Sequence, residues 1–185
     1  MGENKAFLVL REKELIEYSL EIARNSADEF FLVGERDLYM AYGRTIADIY
    51  PGHGPLGGIH AALHRSTTDF NLVLPVDTPF LEQSFVDYMV VAARRSGAMV
   101  TLPRTADGTH PLTAVYRRSF LPLAEQALKE GRNKLDTAFS KDGVQEIDVS
   151  TPEISEKGFS ASMFDNLNTA EDYQRAADRM ARRTI

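Results

Sequence analysis

The chain has no cysteine among its 185 residues. That absence excludes a disulfide framework, a zinc–thiolate site and a cysteine nucleophile, and it fits a reducing compartment. Long apolar runs are missing as well, since nothing approaches the ~20 residues that a membrane-crossing helix needs. Basic residues are in the minority, with 21 Lys and Arg against 27 Asp and Glu. The resulting net charge of −6 argues against a nucleic-acid partner, because phosphate backbones are held by clustered cations. The C-terminal run Arg175, Arg179, Arg182 and Arg183 reads as a solvated helix face. Met1-Gly2 opens like a myristoylation signal, but Ala6 stands where that signal wants Ser or Thr. No G-x-S-x-G elbow points to a serine hydrolase. The expectation is a cytoplasmic protein with neither membrane nor nucleic-acid partner.

What is present is an alternation of helix-like and strand-like segments. Residues 12–25 carry Leu15, Ile16, Leu20, Ile22 and Ala23 at helical spacing. Residues 30–33 form a short apolar run ending at Gly34, which reads as a strand buried on both faces. A short helix over 37–42, a strand over 45–49, a helix over 56–64 and a strand over 71–76 follow. Helix 82–95 repeats Phe85, Met89 and Ala92, and strand 98–102 is broken by Pro103 and an Asp107-Gly108 turn. A strand over 112–116, helices over 119–130 and 134–140, and a strand over 144–149 come next. The polar stretch 150–162 reads as a mobile loop. Thr169 caps a last helix, with Glu171 and Asp172 in its first turn, where the helix dipole favours carboxylates. Strands spaced by helices give crossover units and a mostly parallel sheet. The length fits one α/β domain over 1–185.

Residues 54–81, GPLGGIHAALHRSTTDFNLVLPVDTPFL, are the richest in chemistry. They read as a glycine turn, a helix, a buried strand and an aspartate where the strand ends. Open α/β sheets bind ligands beyond the carboxyl ends of their strands. Asp77 follows Leu72, Val73, Leu74 and Val76 and precedes Thr78-Pro79, which puts one acid at that end. Magnesium takes one or two carboxylates together with substrate phosphates and water, so Asp77 is the candidate metal ligand. The alternative, a cap for the helix beginning near Leu81, asks it to reach too far.

Gly52, Gly54, Gly57 and Gly58 let a ligand approach the backbone with no Cβ in the way. They follow Asp48 near another strand end, where a base or ribose could lie, although Pro51 and Pro55 also suit a plain turn. Asn166 and Asn168, two apart before a helix N-terminus, offer paired amides to a polar ligand or form an Asx-type turn. His110 either contacts a substrate or braces its turn. His60 and His64 have a zinc-compatible spacing, but no Glu lies between them and no third ligand is evident. An exposed helix face is expected for that pair.

Met1-Gly2-Glu3-Asn4-Lys5-Ala6, Asp48 with PGHGPLGGI, LPVDTPFL, HPLTAVYR and DNLNTAEDY occur in one order across nearly the whole chain. In that order they resemble the molybdenum cofactor guanylyltransferases, within the wider Rossmann-like nucleotidyltransferases. The resemblance implies a three-layer α/β fold of the nucleotide-diphospho-sugar-transferase type. It also implies transfer of GMP from GTP to molybdopterin, with release of pyrophosphate. Asp77 would bind Mg2+ and the nucleotide phosphates, and Lys5 would contact the triphosphate, making these two the catalytic pair. Asp48, Gly54, Gly57 and Gly58 would flank the guanine-nucleotide pocket. Asn166 and Asn168, on the far side of the chain order from Lys5 and Asp48, would lie toward the pterin, and His110 would be a further substrate contact. The implied partners are GTP, molybdopterin and other proteins of the cofactor pathway.

The family opens with a strand and the loop L-A-G-G-x-S-x-R-M-G-x-D-K, and this chain begins at the M-G of that motif. The first strand and the glycine-rich loop are therefore expected to be missing, leaving an unpaired strand edge and weaker GTP binding. Asn4 stands where Asp is usual, and Val33-Gly34 replaces the asparagine often found after the second strand. Two readings compete: a sister nucleotidyltransferase with another base or acceptor (cytidylyl or sugar-phosphate type), and a non-catalytic homologue.

Overall fold

Leu15, Ile16, Ser19, Leu20 and Ile22 fall along one side of a helix, and burying that stripe fixes α1 (Leu15–Ser26) against the rest of the chain. The computed structural model describes residues 4–135, 138–139 and 141–182. Met1-Gly2-Glu3 of the opening motif and Arg183 lie outside the described residues, as does part of the helix expected over 134–140. A hairpin of β1 (Val9–Leu10) and β2 (Lys13–Glu14) precedes α1. Then come β3 (Leu32–Val33), α2 (Arg36–Tyr39), β4 (Thr45–Ile46), α3 (Gly54–Arg65), β5 (Phe70–Val73) and α4 (Gln83–Ser96). The second half holds β6 (Val100–Thr105), β7 (Gly108–Thr109), β8 (Ala114–Arg117), α5 (Leu121–Lys129) and β9 (Val144–Asp148). It closes with α6 (Pro152–Ser155) and α7 (Ala170–Arg182).

The larger sheet is built around β6. One edge of β6 carries β9 in parallel; the other carries β8 and then β7, both antiparallel. β5 pairs antiparallel with β8, so β5, β6 and β9 share one direction and β8 runs against them. β3 and β4 form a separate parallel pair. The common direction of the main strands matches the expected parallel sheet, with β8 as an antiparallel insertion. On β8 the period-two pattern is plain: Ala114 and Tyr116 face a core with α3 and α5, while Val115 faces the opposite core with α1 and α4. The sheet is thus the middle of three layers. Helix α1 reaches both Leu32 and Leu72, and α3 reaches both Val33 and Val73, so these helices span the interval between β3 and β5. Among the described residues β3 pairs with β4 alone and β5 with β8 alone.

Four expectations are corrected. The strand expected over 71–76 stops at Val73, because Pro75 has no N–H for a ladder; its carbonyl instead accepts from Ser19 Oγ at 2.5 Å. Pro103, expected to break a strand, sits inside β6. Its carbonyl faces the edge shared by β8 and β7 and accepts from His110 N. β8 pairs only with Val100 and Thr101 of β6, and β7 pairs only with Arg104 and Thr105, so no donor is needed from position 103. β3 is not buried on both faces, since Val33 is 38% exposed. Finally, residues 150–162 are no mobile loop. They include α6 and bury Ile154 and Phe159, with Phe159 edge-to-face on Phe85 at 5.2 Å.

Candidate functional site

Lys5 begins a short 3-10 turn, Lys5–Phe7. The side chain of Asn4 caps that turn by accepting from Ala6 N at 3.1 Å, and its amide donates to the Tyr39 hydroxyl at 3.0 Å. With the backbone so anchored, Lys5 Nζ donates to Asn168 Oδ1 at 2.6 Å. One residue earlier, Leu167 N donates to the Asp77 carbonyl at 3.1 Å. Leu167 itself is buried with Leu10, Leu15 and Phe80, while Asn166 and Asn168 on either side are exposed. A single extended strip therefore touches both Lys5 and Asp77. Asn168, far from Lys5 in chain order, is thus its neighbour in space. Asn166 faces a cleft of about 410 Å³ together with Phe80, Asp165 and Arg175.

Asp77 lies in a bend four residues beyond the end of β5 and is partly exposed. Among the described residues its carboxylate has no hydrogen-bond or ion-pair partner. Its neighbour Thr78 is buried, with a hydroxyl that finds no partner there either.

Asp48 forms a second group with the start of α3. A Cβ on Gly57 would come within 3.0 Å of the Tyr50 carbonyl oxygen, and one on Gly58 within 3.3 Å of Val33 Cγ1. Both would also approach the Asp48 carboxylate, at 3.8 and 3.7 Å. These two glycines thus let α3 lie close under Asp48. Gly54 has φ +61 and a clear space beside it, so it serves the turn itself. Asp48 Oδ1 is sealed from solvent with no hydrogen-bond partner among the described residues. Burial pushes its carboxyl above the ordinary 3.8. The two groups are neighbours across β3. Ala6, beside Lys5, and Val76, beside Asp77, share a cluster with Leu32, while the next residue, Val33, packs on Gly58.

An unpartnered carboxylate weighs against folding, which gives the site a measurable signature. Because the folded state holds the Asp48 proton more tightly than the unfolded chain, stability falls as pH rises through 3.8 toward the higher folded value, and stays lowered above it. Asp48→Asn is therefore expected to raise the melting temperature at about pH 7, with a smaller gain as the pH approaches about 4. Thermal unfolding at the two pH values checks this. A variant destabilised at neutral pH would show that the carboxylate is satisfied.

His110 belongs to neither group. Its ring stacks on Phe164 with centroids 4.4 Å apart, and Nε2 lies 3.0 Å from Thr105 Oγ1. Those contacts brace the β6–β7 turn. His60 and His64 do not share an exposed face: His60 is 2% exposed and meets Tyr50 edge-on, while His64 is exposed. Among the described residues no three His, Asp or Glu side chains group as a metal cage. Sequence reasoning left Asp172 as a helix-dipole residue, but its carboxylate accepts from the amides of Asn168 and Thr169. The T-x-x-D spacing from Thr169 to Asp172 was the available signal.

The chain is similar to known proteins in sequence and, for solved structures, in fold. Residues 1–146 match the family described as MobA-like NTP transferase domain. A Clostridium perfringens protein named "Probable molybdenum cofactor guanylyltransferase" is 30% identical over 175 residues, which cover 92% of this chain and 86% of that protein. A Desulfosudis oleivorans protein named "Molybdenum cofactor guanylyltransferase" is 30% identical over 182 residues, covering 95% and 86%. Among solved structures, the molybdopterin-guanine dinucleotide biosynthesis protein A of Archaeoglobus fulgidus superposes with a TM-score of 0.82 at 26% identity, covering 98% of this chain and 92% of that one. The fold is the Rossmann-like α/β fold of nucleotidyltransferases. With most of its sequence matched, the chain belongs to the MobA-like NTP transferase domain family.

Proposed function

We propose that residues 1–185 form one catalytic domain that transfers GMP from GTP to molybdopterin and releases pyrophosphate. One arrangement supports this reading: beyond the end of β5, the strip 167–168 bonds the Lys5 ammonium through Asn168 and the Asp77 backbone through Leu167, and the Asp77 carboxylate is left without a partner among the described residues. The names of the Clostridium, Desulfosudis and Archaeoglobus proteins agree with it. Lys5 supplies a compact cation with donors for the triphosphate. Asp48 and the glycine turn lie one strand away, where the nucleoside would sit, and the buried Oδ1 of Asp48 wants N–H donors. Asn166 opens on a cleft that also reaches Leu167 and Asp172, and it suits the acceptor.

A single partly exposed carboxylate fits Mg2+, which takes few protein ligands and completes its shell with phosphate and water. Asp77 is the residue that would hold it. Bound there, the ion would neutralise charge on the nucleotide phosphates. A phosphate oxygen of molybdopterin attacks the α-phosphorus of GTP, the bond to pyrophosphate breaks, and no covalent enzyme intermediate is required. A cytoplasmic location goes with this reading, since GTP is a cytoplasmic nucleotide, and no described helix is long and apolar enough to cross a membrane.

Thermal stabilisation by GTP and by CTP, each with magnesium, tests the proposal. GTP is expected to raise the melting temperature clearly more than CTP does. A larger effect of CTP would favour a cytidylyltransferase, and no effect of either nucleotide would favour a non-catalytic homologue.

A further inference from the structure

Asp172 is tied into the strip that joins Lys5 and Asp77. Its Oδ2 accepts from Asn168 N at 3.0 Å and from Thr169 N at 2.9 Å, and its own amide donates to Thr169 Oγ1 at 3.1 Å. Arg175 pairs with the other carboxylate oxygen. Hydrogen bonding to Thr169, first to its side chain and then to its amide, holds the Asp172 carboxyl below the usual carboxylate range. Its side chain is 20% exposed, the least exposed partner in any of the described surface ion pairs. An N-terminal cap for α7 needs only the reciprocal bonds between Thr169 and Asp172. The additional bond to Asn168 N reaches outside the helix, to the residue whose side chain holds Lys5.

Asn168 is suited to hold a working lysine. Its amide oxygen is a neutral acceptor, so it takes one of the three ammonium donors, leaves two, and does not cancel the charge. A carboxylate at that position would compete with a phosphate for the lysine. Beneath it, the buried Leu167 and its bond to the Asp77 carbonyl fix the strip against the other half of the site.

We infer that Asp172 is a positioning residue: by bracing the backbone of residues 168–169 it keeps Asn168 where it holds the Lys5 ammonium, one residue along from the tie to the Asp77 backbone. This rests on the proposed nucleotide role of Lys5. The lysine side chain loses much rotational freedom when it engages a phosphate, and the brace removes part of that loss in advance.

The test is a double-mutant cycle on the full chain, read as the affinity for magnesium-GTP by calorimetry. Asp172→Ala is expected to weaken GTP about three- to tenfold when Lys5 is present, and to cost nothing further in a Lys5→Ala background. Thr169→Ala is the control for capping, because it removes the hydroxyl and its bonds to Asp172 but leaves the bonds that Asp172 Oδ2 takes from the backbone of Asn168 and Thr169. It is expected to lower thermal stability and to cost clearly less GTP affinity than Asp172→Ala. If Asp172→Ala costs the same factor with and without Lys5, or if Thr169→Ala weakens GTP equally, Asp172 is only a helix cap and the inference fails. If Lys5→Ala by itself leaves GTP affinity unchanged, the proposed role of the lysine falls, and the inference with it. Those two failures give different patterns in the same cycle.

Discussion

Asp77→Asn is expected to abolish the magnesium-dependent part of GTP binding and leave the fold intact. The carboxylate has no partner among the described residues, so the amide breaks no internal bond. What secures this residue in the fold is its backbone carbonyl, which accepts from Leu167 N in either variant. Unfolding free energy should therefore stay within about 0.5 kcal/mol of the parent, as for other substitutions away from packed or paired groups. Turnover should fall about 10²- to 10³-fold or more, the cost of losing a group that stabilises developing phosphate charge. GTP without magnesium should bind no worse than to the parent, because one negative charge facing the triphosphate is gone. Calorimetric titration of GTP with and without magnesium separates these terms. If the variant keeps the parent's magnesium dependence, the metal is held elsewhere.

The parts of this molecule that were legible in the sequence are those whose cause is local. Thr169 capping α7 and the apolar stripes of α1 and α4 needed only spacing within a few residues. The bond from Lys5 to Asn168 spans a sequence separation of 163, and nothing in either neighbourhood announces it. Separating the two asparagines from the lysine by chain order was therefore unsafe. Prolines show the same limit. Pro75 ended its strand and Pro103 did not, and the difference lies in whether a neighbouring strand asks for a donor at that position. His60 could have been placed correctly: Leu56, Ile59, His60 and Leu63 share one helical face, and all four are buried.

The stretch 150–162 was misread because its composition is polar while its few apolar residues follow no period, and that gives the second large prediction. Phe159→Ala is expected to destabilise the fold by about 3–5 kcal/mol, the usual cost of emptying an aromatic core position. That is a large share of the roughly 5–15 kcal/mol that holds a domain together. The side chain is 7% exposed, meets Phe85 edge-on and leans on Tyr88, and Phe85 in turn meets Phe164. Urea unfolding should show a lower midpoint with an unchanged slope. A change under about 0.5 kcal/mol, typical of exposed positions, would return the segment to a surface loop. GTP affinity of the folded variant should stay within about twofold of the parent, because the chain beyond Phe159 is pinned separately. Arg179 donates to the carbonyl and the hydroxyl of Ser162, each at 2.8 Å, and lies over the ring of Phe80 at 4.0 Å. Distant sites with no shared partner behave additively, so this core position and the strip at 166–168 should respond independently. Parallel loss of nucleotide binding would mean that the two are one mechanical unit.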